Sequence, residues 1–286
     1  MNIFRVSFVF VFLLMSFSSQ AASRWNQNWD VQADGLTHYF DFSELDAGGA
    51  RVHEHGALYG FKLKAARSFT KSHWYSELGY SQYGGVVAYD GRTDSGSAHT
   101  TESVEAMLDT YLTLGKQFDT WQSKNAVKAF SSVGFHYWMR DIKTRNRVVG
   151  SYGLYQWFYL QVGAEGLLAR VKRWHFLSEV SFSKSLLPRI SLNLKSSDLA
   201  DRILEPGSHY GVSLAFPVEY HARNNLRISM RPSLRFWELG KSASVILQSP
   251  DGYPVARKGG VAPEYIYEPH SSTLMWGLSV GLEKHF

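Results

Sequence analysis

Arg227, Arg231 and Arg235 stand four residues apart in a run that alternates them with apolar side chains. Leu226, Ile228, Met230, Leu234 and Phe236 fill one parity, and Arg227, Ser229, Arg231, Ser233 and Arg235 the other. Side chains on a strand alternate between faces, so the three guanidiniums share one face. Charges removed from bulk water must be paired or hydrated. Carboxylates that could answer them sit on the polar parity of other runs: Glu77, Glu105, Asp109, Glu165, Glu179 and Glu219. Lys62, Lys64, Lys128 and Arg140 add further cations. The expected arrangement is an ion-pair network, with Glu77, Asp109, Glu165, Glu179, Arg140, Arg227, Arg231 and Arg235 as its members.

Groups with catalytic potential are sparser. His53-Glu54-His55 places two imidazoles two residues apart, a spacing open to a metal ion, but such pairs in a polar segment are ordinarily only solvated. Asp90 and Asp94 lie close together in YDGRTDSG. Ser132 and His136 share a face, as any residues four apart on a strand do. His209 and Asp201 are isolated. No catalytic set, cofactor site or metal site is assigned from these, and proton transfer would need the groups within about 3 Å or one water of each other.

The elements that must position these side chains are strands. The last residues, SSTLMWGLSVGLEKHF from Ser271, set Trp276, Leu278, Val280, Leu282 and Phe286 at every second position against small or polar neighbours. That period of two marks a strand with one oily and one polar face. Nine further runs read the same way, at 32–42, 56–67, 73–84, 104–118, 127–140, 152–168, 172–184, 209–221 and 226–238. The first is the weakest, with Leu36, Phe40 and Phe42 on one side. Connections alternate between short, at 68–72, 119–126, 169–172 and 222–225, and long, at 43–55, 85–102, 141–151, 185–207 and 239–271. A short helix is expected around Asp198–Leu204. Trp74, Phe118, Trp121, Trp174, Tyr220 and Phe286 fall beside the short turns or the C-terminus, and Tyr80, Tyr137, Tyr210, Phe236 and Trp276 toward the long loops.

An even count of alternating strands, short turns opposite long loops and an aromatic final residue resemble a bacterial outer-membrane β-barrel. The segments YDGRTDSG and EPHSSTLMWGLSVGLEKHF are similar to pieces of uncharacterised outer-membrane barrel proteins of proteobacteria. The resemblance implies an all-β fold: a closed antiparallel up-and-down transmembrane barrel of about ten strands (8–12), with short periplasmic turns and long extracellular loops. It implies that the terminal aromatic strand is the signal read by the barrel-assembly machinery. It also implies an outer-membrane location in a Gram-negative bacterium, with lipid, and small solutes or extracellular ligands, as partners. In that setting an Arg facing lipid near the midplane would cost about 2–4 kcal/mol, so the three arginines should point inward. Lys116 and Lys284, on the oily parity near the short-turn end, should reach the headgroups.

Omptin proteases on ten-stranded barrels use acidic pairs with an Asp–His pair, and barrel lipases use a Ser–His pair. Neither pattern matches here residue for residue. The expected role is therefore structural, surface-interacting or that of a narrow pore, with a rim-sited hydrolase as the alternative. A soluble β-sandwich would also bury one face of each strand, but it does not call for alternating loop lengths or for aromatics at both strand ends.

The start of the chain fits export. Residues 1–21 combine Arg5, an apolar stretch from Val6 to Phe17 and Ser19-Gln20-Ala21, the pattern of a cleaved signal peptide. The mature chain, 22–286, has no Pro- or Ser-rich linker and is expected to form a single domain. It contains no cysteine, which excludes disulfides and thiolate chemistry. A net charge of +5, scattered among carboxylates, gives no stripe for nucleic acid. Aromatics at 15% suit strands and crowded interiors.

Overall fold

The computed structural model describes residues 28–46, 49–69, 72–92, 96–119, 126–146, 148–255 and 263–286. The expected leader, Asp94 and Trp121 lie outside them. Seven long strands come first: β1 (Trp29–Asp46), β2 (Gly49–Phe69), β3 (Trp74–Arg92), β4 (Ala98–Asp119), β5 (Ala126–Ile142), β6 (Tyr152–Val171) and β7 (Trp174–Asn193). Then follow β8 (Arg202–Leu204), β9 (Tyr210–Ala215), β10 (Val218–His221), β11 (Leu226–Leu239), β12 (Val245–Ile246), β13 (Tyr265–Ile266) and β14 (His270–His285).

Neighbouring strands pair antiparallel, and β14 returns to β1 in an unbroken register from Asp30↔His285 to Leu45↔His270. β9 and β10 are two pieces of one stave, since both lie between β7 and β11. β8 adds only to the far end of β7, and β12 with β13 makes a separate small hairpin. The result is a closed antiparallel barrel of ten staves. The rim where β2 gives way to β3, β4 to β5, β6 to β7 at 172–173 and β10 to β11 at 222–225 is the short-turn rim. The opposite one is the far rim.

Several sequence expectations need correction. The segments expected as loops at 43–55 and 85–102 are largely strand: β1 runs to Asp46, β2 starts at Gly49, β3 runs to Arg92 and β4 starts at Ala98. Turn-forming Asp and Gly in these stretches are overridden by ladder pairing with neighbouring strands, a tertiary effect on weak local propensity. The helix expected around Asp198–Leu204 is absent; a single 3-10 turn at Lys195–Ser197 precedes strand β8. The run 209–221 is interrupted at Phe216-Pro217, because proline has no N–H for the ladder.

Parity decides which side chains face out. Leu78, Leu112, Leu114, Val133, Leu160, Val162 and Leu282 are about half exposed on the outside of the wall. Such an outward apolar band faces hydrocarbon in barrels of this kind. Trp174 packs on Tyr220, and Lys116 lies over the rings of Trp74 and Phe118, all at the short-turn edge of the band. Lys284 Nζ donates to the Asn224 carbonyl at 2.5 Å in the same zone. At the other edge Tyr39 stacks on Trp276, with ring centroids 5.4 Å apart.

Inward parity builds the core. Leu36, Phe40 and Phe42, on the weakest of the expected strands, point inside and are buried. They join Leu58, Tyr83, Met107, Trp138, Tyr155, Trp157, Trp237 and Met275 in one cluster. Nearer the short-turn rim, inward glycines seat aromatic rings from the facing strand. Gly79 pairs with Tyr111, Gly115 with Tyr75, Gly134 with Tyr159 and Gly163 with Phe130. A Cβ on any of these glycines would lie 2.1 to 2.5 Å from the ring opposite.

The belt assignment makes a direct prediction. Leu160→Arg, placed mid-band on the outer face, should lower the unfolding free energy in micelles or bilayers by about 2–4 kcal/mol. Urea titration followed by tryptophan fluorescence measures it, and a change near zero would mean that this face does not contact hydrocarbon.

Candidate functional site

The lumen has three zones. From the short-turn rim a cavity of about 490 Å³ extends inward, from Ser68, His73 and Trp74 up to Leu36, His38, Asp109 and Arg235. Its wall is a set of inward-facing ion pairs, most of them between adjacent staves. Arg231 meets Glu179 at 2.6 Å, Arg227 meets Glu283 at 3.0 Å and Glu219 at 3.5 Å, and Lys128 meets Glu165 at 2.9 Å. Glu77 accepts from Tyr111 at 2.9 Å and faces Lys64 at 3.7 Å. At the inner end Arg235 reaches Asp109 at 3.4 Å, while Asp109 also contacts His136 Nδ1 at 2.7 Å and accepts from Tyr83 at 3.3 Å. All three arginines of β11 thus point into the enclosed space.

Above this vestibule lies a septum. Phe40 and Phe42 each pack edge to face on Trp138, with centroids 5.9 and 5.3 Å away, and Trp138 stacks on Tyr155 at 4.5 Å. Leu58 and Met107 fill the same level and are buried. Edge-to-face and offset packing favours contact among several rings without leaving voids.

On the septum rests a buried acidic cluster clasped by Arg140. Its guanidinium donates to Glu54 and, at 2.7 Å, to Glu44, and it lies 4.7 Å from the centre of the Phe42 ring. Tyr155 bridges the cluster, accepting from Arg140 at 3.2 Å and donating to Glu268 at 3.1 Å. Glu105 accepts from Ser103 at 2.5 Å and from the Trp138 indole. Arg140 therefore belongs to a group separate from the other expected network members, walled off from them by the septum. Glu44, Glu54 and Glu268 were missed from sequence because their segments read as loops; the alternation Phe40, Phe42, Glu44 was the available signal. Burial and the neighbouring Glu44 charge push the Glu268 carboxyl up to about 8.

Of the groups with catalytic potential in the sequence, Ser132, His136, Asp201 and His209 form no catalytic set among themselves. Ser132 bonds to Thr113 at 2.7 Å, while His136, on the same face, is held by Asp109. Asp201 sits in the turn after β7, where it accepts from the Leu194 N–H and faces Lys195. His209 instead meets a serine that sequence reasoning did not single out. Ser185 Oγ lies 2.5 Å from His209 Nδ1, both residues are buried, and the His209 Nε2 has no hydrogen-bond partner. Burial lowers the His209 imidazole to about 4, so it is neutral near pH 7. A second cavity of about 60 Å³ touches this pair, beside Trp157 and Asp109. His53, His55 and Asp90 cluster on the outer wall near the far rim, on the other side of the barrel. In the terminal strand, Trp276, Val280 and Leu282 face outward with more than half of their surface exposed, Leu278 shares their parity, and Phe286 N donates to the Trp29 carbonyl at 2.8 Å.

No protein-family model and no curated protein sequence matches the chain. Solved structures do. The outer membrane protease OmpT from Escherichia coli superposes with a TM-score of 0.55 at 9% identity, covering 91% of this chain and 97% of that one. The fold is that of the outer-membrane β-barrels. The translocator domain of the autotransporter NalP from Neisseria meningitidis gives a TM-score of 0.42 at 9% identity, covering 95% and 93% of the two chains. The outer membrane protein OprG from Pseudomonas aeruginosa gives 0.40 at 11%, covering 91% and 96%.

The acidic cluster predicts a pH dependence with a defined sign. The Glu268 carboxyl is raised on folding, so between its ordinary value near 4.3 and about 8 the native state binds more protons than the unfolded one. Stability must then fall as pH rises through that window. Glu268→Gln removes this contribution. Urea midpoints at pH 5 and pH 8 should differ less in the variant than in the wild type, and equal differences would show that Glu268 is ionised throughout.

Proposed function

We propose that the protein is a non-conducting barrel of the Gram-negative outer membrane, with its short-turn rim toward the periplasm and its working surface on the strand extensions outside. The septum carries this reading. A narrow pore needs a continuous wet path, whereas Phe40, Phe42, Leu58, Met107 and Trp138 fill the lumen with less than 2% of their surface exposed. Protein interiors packed this closely leave few voids larger than a water molecule. The vestibule below admits water and small ions to the arginine–carboxylate wall but ends at the septum. The staves run on past the apolar band at the far rim as paired hairpins, a rigid platform for contacts with extracellular ligands. Export by a leader and recognition of the closing strand by the assembly machinery belong to the same proposal.

Planar-bilayer recording on refolded protein tests it. The wild type should show no stepwise openings, and the variant Phe40→Ala with Trp138→Ala should acquire them. Stepwise conductance in the wild type would overturn the closed-barrel reading.

One observation favours a second reading, that of an acyl-ester hydrolase. A serine hydroxyl against a neutral imidazole is the pairing of an activated nucleophile with its base, and Ser185 and His209 show it. The same hydroxyl also accepts from His209 N at 3.3 Å, which serves equally to pin the chain entering β9 to β7. A fluorophosphonate probe separates the two roles. Under the hydrolase reading it labels folded wild type and spares Ser185→Ala; absence of label on the folded wild type leaves the pinning role alone.

A further inference from the structure

The geometry points to a transition-metal site on the outer wall of the barrel, made by His53, His55 and Asp90 with Asp41 as the fourth ligand. The site goes beyond the closed-barrel reading and does not depend on it. Three staves bring it together. In the β1–β2 ladder Asp41 is opposite His55, and in the β2–β3 ladder His53 is opposite Asp90. Phe40, Phe42, Glu54 and Val87 on these strands are buried inside, so the alternate residues Asp41, His53, His55 and Asp90 share the outer face.

The ligand atoms of His53, His55 and Asp90 all lie within 4.8 Å of one another. The two imidazole rings have centroids 4.8 Å apart and planes 22° apart. His53 Nε2 is 3.3 Å from Asp41 Oδ1. Ligands about a tetrahedral zinc ion, at bonds of about 2.0–2.1 Å, stand roughly 3.3 Å apart. Small side-chain rotations on a fixed ladder close that difference. His55 Nδ1 supplies an independent sign: it is buried and has no hydrogen-bond partner, although buried polar atoms are normally satisfied.

The donor set selects the ion class. Two nitrogens with carboxylate oxygens suit Zn²⁺, Cu²⁺ or Ni²⁺, whereas Ca²⁺ and Mg²⁺ prefer oxygen throughout. A comparable group at the short-turn rim, His175, Glu219 and His221, is less suited. There Arg227 already lies 3.5 Å from Glu219, placing a fixed cation beside the would-be ligands.

Calorimetric titration of the refolded full chain with Zn²⁺, in a millimolar Ca²⁺ background, tests the assignment. The wild type should bind one strong equivalent that Ca²⁺ does not displace. His53→Ala with His55→Ala should weaken binding at least a hundredfold, Asp90→Asn about tenfold, and His175→Ala with His221→Ala should leave that equivalent unchanged. X-ray absorption at the zinc edge of the loaded wild type needs no variant and should show two imidazoles among the nearest ligands. Displacement by Ca²⁺, retention of binding in the His53/His55 variant, loss in the His175/His221 variant, or one imidazole at the edge would each overturn the site.

Discussion

A wall that stands in hydrocarbon must satisfy its own backbone, because nothing outside it can donate or accept a hydrogen bond. That requirement explains closure of β14 onto β1, and it explains how a break within a stave is handled. At Phe216-Pro217 the stave breaks into β9 and β10, yet Leu177 N still donates to the Pro217 carbonyl at 2.8 Å and Phe216 N to the Pro232 carbonyl at 3.0 Å. Two prolines that lack donors sit close to one gap, and each still joins the wall through its carbonyl, which accepts from the neighbouring stave. The pairing then resumes on both sides, so the wall stays closed where local sequence would end it.

Closure creates a second problem, the space inside. This chain fills it in two physically different ways along the barrel. In the half nearer the short turns, long cations and carboxylates line an open cavity, where hydration reduces the desolvation cost of each ion. In the other half aromatics close the lumen and carry a dry acidic cluster. Several carboxyls there share the Arg140 guanidinium, so full ionisation would leave uncompensated negative charge in a water-poor site. Holding Glu268 protonated near neutral pH is the least costly resolution. The septum and the cluster are thus mutually dependent: the rings exclude water, and the exclusion sets the protonation.

Much of this was legible from alternation alone. Outward Leu112, Val133 and Leu160, inward Arg227, Arg231 and Arg235, and the two aromatic edges followed from period two and from the penalty for charge in lipid. What alternation could not supply was strand length. Near the far rim residues such as Asp90 and Gly91 carry turn chemistry, and pairing with neighbours keeps them extended. Reading those stretches as loops suspended the parity argument where Glu44, Glu54 and His55 take their sides. Nor could the sequence bring Ser185 to His209, since that contact depends on where the chain re-enters the wall after β8.

The extended register also changes the meaning of a weak motif. In a loop, His53-Glu54-His55 is two imidazoles with no fixed relation. On a strand the same tripeptide is divided by parity: Glu54 turns inward to Arg140, and both histidines turn outward on one face. The neighbouring ladders then add Asp41 and Asp90 to that face without any further folding cost, because the backbone is already fixed. Preorganisation of this kind removes much of the ordering entropy that a loop site must lose on binding an ion. A single run of three residues therefore serves the interior packing with its middle member and the outer surface with its flanks, and strand pairing alone separates the two uses.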